Sequence, residues 1–288
     1  KYLPISLKGY KEGDFTMIMG FPGSTERYLT AAQVAYQMQN MNGPIAMAGN
    51  PLLALYKEVM DMSDENRLML EDDYFSLANM IKNYSGAIES VEKTHLVDEK
   101  RAEEARFRDY CRRTGQEAEY AGVIDSIAAY CEATGDMIYN NMLYFITARQ
   151  ISSGAANGWC SEWKAAIADS AMTKADSIAA QAVAALATAQ RQPTYAARFD
   201  FDRRQAHLLI PIMAKNLKGA NKPAYCNLTG KQLDAYIDSM YTHSILTDSL
   251  RLAKALQTHQ REVVANDPLL RFHMDNRQFR MDAELGVS

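Results

Sequence analysis

Five small or uncharged polar residues recur at helical spacing in the first third of the chain, and their types suit contact with a ligand. They are Ser76, Asn79, Asn83, Gly86 and Ser90. At 100° per residue they form a stripe roughly 100–180° away from the apolar Leu77. An amide oxygen can accept a hydrogen bond from an ammonium group, whereas a solvated helix back normally carries Lys and Glu. The stripe therefore predicts a surface that faces protein or a ligand cleft, and packing against a neighbouring helix is the alternative.

The sequence holds no complete set of residues for covalent or metal catalysis. A serine nucleophile usually sits in a turn flanked by glycines, and neither G-x-S-x-G nor G-[DN]-S-G occurs here. Ser24 follows Gly23, but the surrounding F-P-G-S-T reads as a strand-to-helix turn in which Ser24 or Thr25 caps the helix. The five histidines lack H-E-x-x-H spacing and the four cysteines lack a C-x-x-C pair. We therefore expect no catalytic triad within these residues, no metal site and no cofactor, with the cysteines as structural thiols.

Composition excludes several classes of partner. The 288 residues carry 31 Lys and Arg against 35 Asp and Glu, a net charge of −4, which disfavours binding to nucleic acid or to an anionic membrane surface. No apolar run approaches the roughly 18 residues that a membrane-spanning helix needs. Hydrophobic residues make up 48% of the chain, which is ordinary globular usage.

The pattern of apolar residues predicts a mainly all-α fold, a bundle of long antiparallel helices preceded by one or two short β-strands near residues 4–7 and 14–20. After a helix at 27–39 we expect a loop at 42–49 and a new helix with Asn50 as its N-cap and Pro51 at its first position. A helix of about 30 residues follows Ser63, and Gly115 ends the next one. The sequence Y-C-x-x-T-G at 110–115 recurs at 130–135, which predicts a second helix end at Gly135.

The second half of the chain continues the helical pattern. Helices are predicted near 136–151, 159–190, 200–217, 229–242, 247–264 and 267–274. Pro211 should kink the helix at 200–217. Residues 218–230, which include Gly219, Pro223 and Gly230, are the best candidate for a linker.

Residues 13–28, with the run G-F-P-G-S-T-E-R-Y, resemble the bacterial dipeptidyl-peptidases seven and eleven, which are chymotrypsin-like serine exopeptidases. Segments at 78–83 (A-N-M-I-K-N), 241–248 (Y-T-H-S-I-L-T-D) and 266–269 (N-D-P-L) are also similar and follow the order of that family. In the family a double β-barrel carries the Ser-His-Asp triad, and a large helical domain is inserted between the barrels.

The resemblance implies three parts in this chain. Residues 1–25 would be a partial β-barrel strand and turn, 26–275 the α-helical cap domain, and 276–288 the return segment toward the missing barrel. The catalytic His and Asp would precede residue 1 and the nucleophilic Ser would follow residue 288, so this segment should be inert alone. The chain departs from the family at Met80-Ile81, where members often carry an aromatic pair, which would change the shape of the cleft wall.

The resemblance also implies a role and partners. The cap would close the active-site cleft, and an Asn on its long helix would bind the free α-amino group of the substrate; by position this is Asn83, with Asn79 as second choice. The partners would be a peptide N-terminus, the barrel domains of the same polypeptide and a second copy in a homodimer. The family suggests the periplasm or cell surface of a Gram-negative bacterium. A non-catalytic helical binding or assembly module is the alternative function.

Overall fold

The computed structural model describes residues 6–17, 26–151 and 156–284. Within these ranges the chain forms helices joined by short turns, and the prediction of a mainly all-α fold is confirmed. The helices are α1 (Ala31–Tyr36), α2 (Gly43–Met60), α3 (Asp64–Thr94), α4 (Leu96–Thr114), α5 (Glu117–Ile146), α6 (Ala156–Ala168), α7 (Met172–Gln190), α8 (Tyr195–Asn216), α9 (Lys231–His243), α10 (Ser249–Gln257), α11 (Arg261–Ala265) and α12 (Pro268–Glu284). None of these helices is both long and apolar enough to cross a lipid bilayer.

The predicted N-terminal strands are not found in the part of the chain that can be compared. Residues 6, 7 and 14–17 are exposed and form no strand, and the remainder of both predicted strands, like Ser24, lies outside the described residues. A strand needs a neighbour to satisfy its backbone groups, and no second strand accompanies residues 6–17 among the described residues.

Three apolar clusters hold the helices together. The first lies between α2 and α3 and is closed by the end of α5 and by α8, with Leu52, Ile81 and Ile146 almost fully buried. The second joins the C-terminal end of α5 to α8, α9 and α12. The third packs α6 and α7 against α10, α11 and the start of α12, around the fully buried Trp163. The helices that form these clusters bury their apolar sides in them, which is how an all-α fold gains most of its stability.

Helix α3 forms as predicted. The Ser63 hydroxyl accepts a hydrogen bond from the Asn66 backbone N–H at 3.1 Å, and His95 ends the helix in the left-handed conformation. The apolar seam faces the protein, with Leu70, Leu77 and Ile81 buried. Helix α4 likewise ends at Gly115, whose φ of +73° is the left-handed conformation predicted for this C-cap.

The predicted loop at 42–49 and the N-cap at Asn50 are wrong. A capping box formed by Thr30 and Gln33 starts α1, and the chain then continues through a π-helical stretch (Gln37–Asn42) directly into α2. Pro44 stands at the start of α2 directly after the π-helical stretch, and Pro51 is inside the helix. Burial of Ile45, Ala48 and Leu52 against α3 outweighs the turn propensity of this segment.

Gly135 does not end a helix, because α5 continues through it to Ile146. Thr114 and Thr134 each donate their hydroxyl to the backbone carbonyl four residues earlier, at 2.9 and 2.8 Å, so the two similar sequences share a local contact but not a helix end. The site of a Gly135 Cβ would lie 3.3 Å from the Asn40 side chain. The glycine therefore allows the π-helical stretch to approach α5.

Two predicted long helices are each broken by one residue with positive φ. Ser170 (φ +57°) separates α6 from α7, and His259 (φ +53°) separates α10 from α11. The turn at each place changes the direction of the chain, so that both helices on either side of it pack into the third cluster.

The segment at 218–230 is not a free linker. Asn140 of α5 donates to the Lys218 carbonyl and accepts from the Lys218 N–H, both at 2.9 Å. Tyr225 is buried and donates its hydroxyl to Asn276 of α12 at 2.8 Å. Helix α12 passes residue 275 without interruption, and its Phe279 is buried in the second cluster, so residues 276–284 pack with the helical body.

Gly49 allows α2 and α3 to approach closely. A Cβ at this position would lie 2.6 Å from both Cδ1 and Cγ1 of the buried Ile81. We expect Gly49→Ala to lower the free energy of unfolding by about 1–3 kcal/mol through overpacking, measured by urea denaturation. The matched control is Gly86→Ala on the open side of α3, where a Cβ meets no atom within 4 Å. That change should raise stability by about 0.5–1 kcal/mol, and equal effects of the two variants would contradict the packing argument.

His273 gives the fold a pH dependence. Its ring is buried on α12, and loss of hydration lowers its pKa from 6.5 to about 4. Since the unfolded chain takes up the proton near pH 6.5, this group's contribution is complete above that pH and is lost as the pH falls toward 4. We expect the free energy of unfolding to decline between pH 7 and 5, and to decline less in His273→Leu, in urea titrations at each pH. An unchanged slope in the variant would contradict this assignment.

Candidate functional site

The stripe predicted on α3 is an open surface. Ser76, Asn79, Asn83, Gly86 and Ser90 are all exposed, while Leu77 and Ile81 on the other side of the helix are buried. Neither Asn79 nor Asn83 makes a hydrogen bond to another of the described residues. The alternative that this stripe packs against a neighbouring helix of the described chain is therefore not supported.

A third asparagine extends this surface onto α2. The exposed Asn50 amide nitrogen lies 3.5 Å from the hydroxyl oxygen of Ser85, one residue before Gly86. The sequence argument missed this placement because it treated Asn50 as a helix cap. The position could have been found by continuing the helical period across Pro51, which places Asn50 beside the core residue Gly49 but on the outside.

Charged residues flank the stripe, and the exposed Asp72 continues it one turn before Ser76. Lys82 is exposed, and Glu89 pairs with Lys93 at 2.6 Å one turn further along the helix. Three amides, small hydroxyls and a glycine between such flanks can accept hydrogen bonds from a cationic or amide group and can let a backbone approach closely. They cannot perform nucleophilic or acid–base chemistry, so this surface is suited to binding.

Met80 and Ile81, where the sequence departs from the pattern of the family it resembles, were expected to shape the wall of a cleft, but they pack toward the interior. Ile81 is 1% exposed and fills the space above Gly49, so it belongs to the core between α2 and α3. Met80 is half-buried and packs against the same cluster.

Two surface histidines link helices. His207 of α8 lies with its Nε2 3.0 Å from Oδ1 of Asp238 on α9, and His259 lies 2.8 Å from Asp176 of α7. Arg203 donates to the same Asp238 carboxylate, and these two contacts hold the pKa of Asp238 below its usual value, with the arginine the larger cause. In the described ranges no group of three or more His, Cys, Asp or Glu is placed to hold a metal ion.

The four cysteines are free thiols. Cys111, Cys131 and Cys160 are buried, and Cys226 is half-buried. Burial raises the pKa of both Cys160 and Cys226, which disfavours the reactive thiolate. The interpretation as structural thiols agrees with these positions.

Two of the segments that carry the resemblance meet in the interior. The Asp267 carboxylate accepts hydrogen bonds from the Ser244 hydroxyl at 3.0 Å and from the backbone N–H groups of Ile245 (2.7 Å) and Leu270 (3.0 Å). Both Ser244 and Asp267 are buried. These segments therefore join the end of α9 to the start of α12, a structural role distinct from the exposed stripe.

A groove of about 680 Å³ lies between α1, the π-helical stretch and the first half of α5. Its walls include Tyr36, Val123 and Tyr130, with Glu26 and Glu119 among the lining residues. Asn79 and Asn83 do not line this groove, so it is a separate feature of the surface.

The described residues thus form an all-helical body with exposed amide side chains on α2 and α3. The chain belongs to the peptidase S46 family, which it matches over residues 1–285. It is 27% identical over 275 residues to dipeptidyl-peptidase 7 of Phocaeicola vulgatus, an alignment that covers 93% of this chain and 37% of that protein. It is 30% identical over 124 residues to an Asp/Glu-specific dipeptidyl-peptidase of Capnocytophaga gingivalis, covering 43% of this chain and 17% of that one.

The fold is also similar to a solved structure. The crystal structure of Porphyromonas endodontalis DPP11 in complex with the dipeptide Arg-Glu matches with a TM-score of 0.67 at 16% sequence identity, over 93% of this chain and 38% of that one. The resemblance drawn from the sequence is thereby confirmed at the level of family and fold. The chain spans 37% of the length of the Phocaeicola relative.

Proposed function

We propose that this chain is the helical substrate-gating domain of a serine-type dipeptidyl-peptidase, which binds the peptide N-terminus and limits cleavage to the release of dipeptides. The observation that carries the proposal is the exposed, uncharged stripe on α3, whose Asn83 and Asn79 make no hydrogen bond to other described residues. Membership of the peptidase S46 family and relatives that are dipeptidyl-peptidases support the reaction class.

In this proposal Asn83 accepts a hydrogen bond from the substrate ammonium group through its amide oxygen. A group that holds the free N-terminus at a fixed distance from the scissile bond rejects longer N-terminal extensions, because the extra residues have no space. The catalytic Ser, His and Asp belong to barrel domains of the same polypeptide, outside these 288 residues. A periplasmic or cell-surface location in a Gram-negative bacterium and a homodimer follow from the same resemblance and belong to the proposal.

The test compares the full-length protein with this segment alone. The full-length protein should hydrolyse a chromogenic dipeptide with a free amino group, fail on its N-acetylated form, and lose activity with a serine-directed covalent inhibitor. The isolated segment should be inactive on both substrates. Hydrolysis by the segment would contradict the missing triad. A full-length protein that binds peptides without cleaving them would favour the non-catalytic binding module.

A further inference from the structure

A cavity of about 240 Å³ opens between α6 and the second half of α12, and we call it the α6–α12 cavity. Its cations are Lys164 of α6 and Arg277 of α12, and no carboxylate is among the described residues that line it. Met274 and Met281 stand on either side of Arg277 at spacings of three and four residues, so these three side chains share one side of α12. The cavity thus combines two positive charges with apolar thioether walls.

The ammonium group of Lys164 has only a weak partner. Its Nζ lies 3.6 Å from Sδ of Met274, and it makes no ion pair to another of the described residues. A thioether is a weak acceptor, whereas an ammonium group has three N–H donors. Since the side chain is half-buried, water hydrates it less fully than a freely exposed lysine. Lys164 therefore has donors to offer to an anion inside the cavity.

Arg277 also lacks a counter-charge. It is exposed and makes neither a hydrogen bond nor an ion pair within the part of the chain that the structure describes. Burial is the main cause that lowers the pKa of the neighbouring Arg280, and the positive charge of Arg277 lowers it further, although Glu284 acts in the opposite direction. The two guanidinium groups on adjacent turns of α12 therefore repel each other, and an anion beside Arg277 would reduce this repulsion.

The acidic residues of the chain do not neutralise the cavity. All 35 Asp and Glu residues lie within the described ranges, and none forms an ion pair with Lys164 or Arg277. The nearby Asp282 accepts a hydrogen bond from Nε2 of Gln278 at 2.7 Å and does not line the cavity. The charge of the cavity is therefore available to a ligand.

We infer that the α6–α12 cavity binds a phosphate group, either as the free ion or on a small organic molecule. Arg277 donates two N–H groups to adjacent phosphate oxygens, and the Lys164 ammonium group donates to a third. A phosphate group carries about 1.5 to 2 negative charges at pH 7, which matches the two cations, whereas a carboxylate balances only one of them. This site is separate from the stripe on α3 and independent of the peptidase activity proposed above.

The test titrates inorganic phosphate, phenyl phosphate and acetate into the full-length protein at constant ionic strength, followed by calorimetry and, for the two phosphates, by phosphorus NMR. We expect both phosphates to bind about tenfold more tightly than acetate. Tighter binding of phenyl phosphate than of inorganic phosphate would identify the ligand as an organic phosphate, because its apolar group contacts Met274 and Met281, and equal binding would identify the free ion. Phosphate binding no tighter than that of acetate, or none at millimolar concentrations, would overturn the proposal.

Three variants of equal charge locate the site. Lys164→Gln and Arg277→Gln should each weaken phosphate binding about tenfold, the change expected when a hydrogen bond to a charged group is lost. Lys174→Gln removes the same charge from an exposed position on α7 that does not line the cavity, and should leave binding unchanged. None of the three loses an ion pair between described residues, so we expect all to fold, as circular dichroism would verify. Equal losses in all three variants would overturn the proposal, as would unchanged binding in Lys164→Gln and Arg277→Gln.

Discussion

Asn83→Ala in the full-length protein should lower kcat/KM for dipeptide release about 30-fold, the change expected when a hydrogen bond to a charged group worth about 2 kcal/mol is lost. Asn83 is exposed and makes no hydrogen bond to other described residues, so stability should be nearly unaffected. The measurement is steady-state hydrolysis of a dipeptidyl chromogenic substrate, with thermal unfolding recorded alongside.

Two further variants separate binding from other roles. Asn83→Asp keeps an oxygen acceptor at the same place and should retain most of the activity, whereas Lys82→Ala, on the charged flank of α3, should behave as the unaltered protein. If Asn79→Ala reproduces the loss and Asn83→Ala does not, the acceptor lies one turn earlier. If neither changes the rate, the stripe does not hold the substrate N-terminus.

Asp267→Ala should lower the free energy of unfolding by about 4 kcal/mol, because three hydrogen-bond donors in a buried region lose their common acceptor. These donors are the Ser244 hydroxyl and the backbone N–H groups of Ile245 and Leu270. The expected result is a shift of the urea midpoint with little change in slope.

Asp248 supplies the matched control. It caps α10 by accepting from the backbone N–H groups of Leu250 at 2.8 Å and Arg251 at 3.1 Å, but 44% of its side chain is exposed. Water can replace its contacts, so Asp248→Ala should cost only about 1 kcal/mol. Equal losses in the two variants would mean that burial does not decide the importance of Asp267.

The sequence predicted those helices whose ends carry a local chemical signal. Ser63 with its acidic first turn and Gly115 with its positive φ act within one turn of the chain, so α3 and the end of α4 could be placed without knowledge of the fold. The exposed amide stripe was also predictable, because the helical period alone fixes which residues of α3 lie on the side away from the buried Leu77.

The errors arose where a distant contact overrules a local preference. Gly49 and Gly135 suggest a loop and a helix end, but both stand inside helices where the absent side chain makes room for Ile81 and Asn40. The breaks at Ser170 and His259 carry only a weak local signal, since a positive φ is uncommon in residues other than glycine, although histidine adopts it more often than most.

Because one side of α3 is exposed, Asn79 and Asn83 offer hydrogen-bond acceptors at two different positions along the same helix. At 1.5 Å of rise per residue, Asn79 and Asn83 are separated by about 6 Å along the helix axis, close to the length of two residues of extended peptide. If the N-terminus of a peptide is fixed at one of these amides, transferring the acceptor to the other should change the length of the released fragment. An enzyme of this design could therefore be retuned from one product size to another by exchanging side chains one helical turn apart.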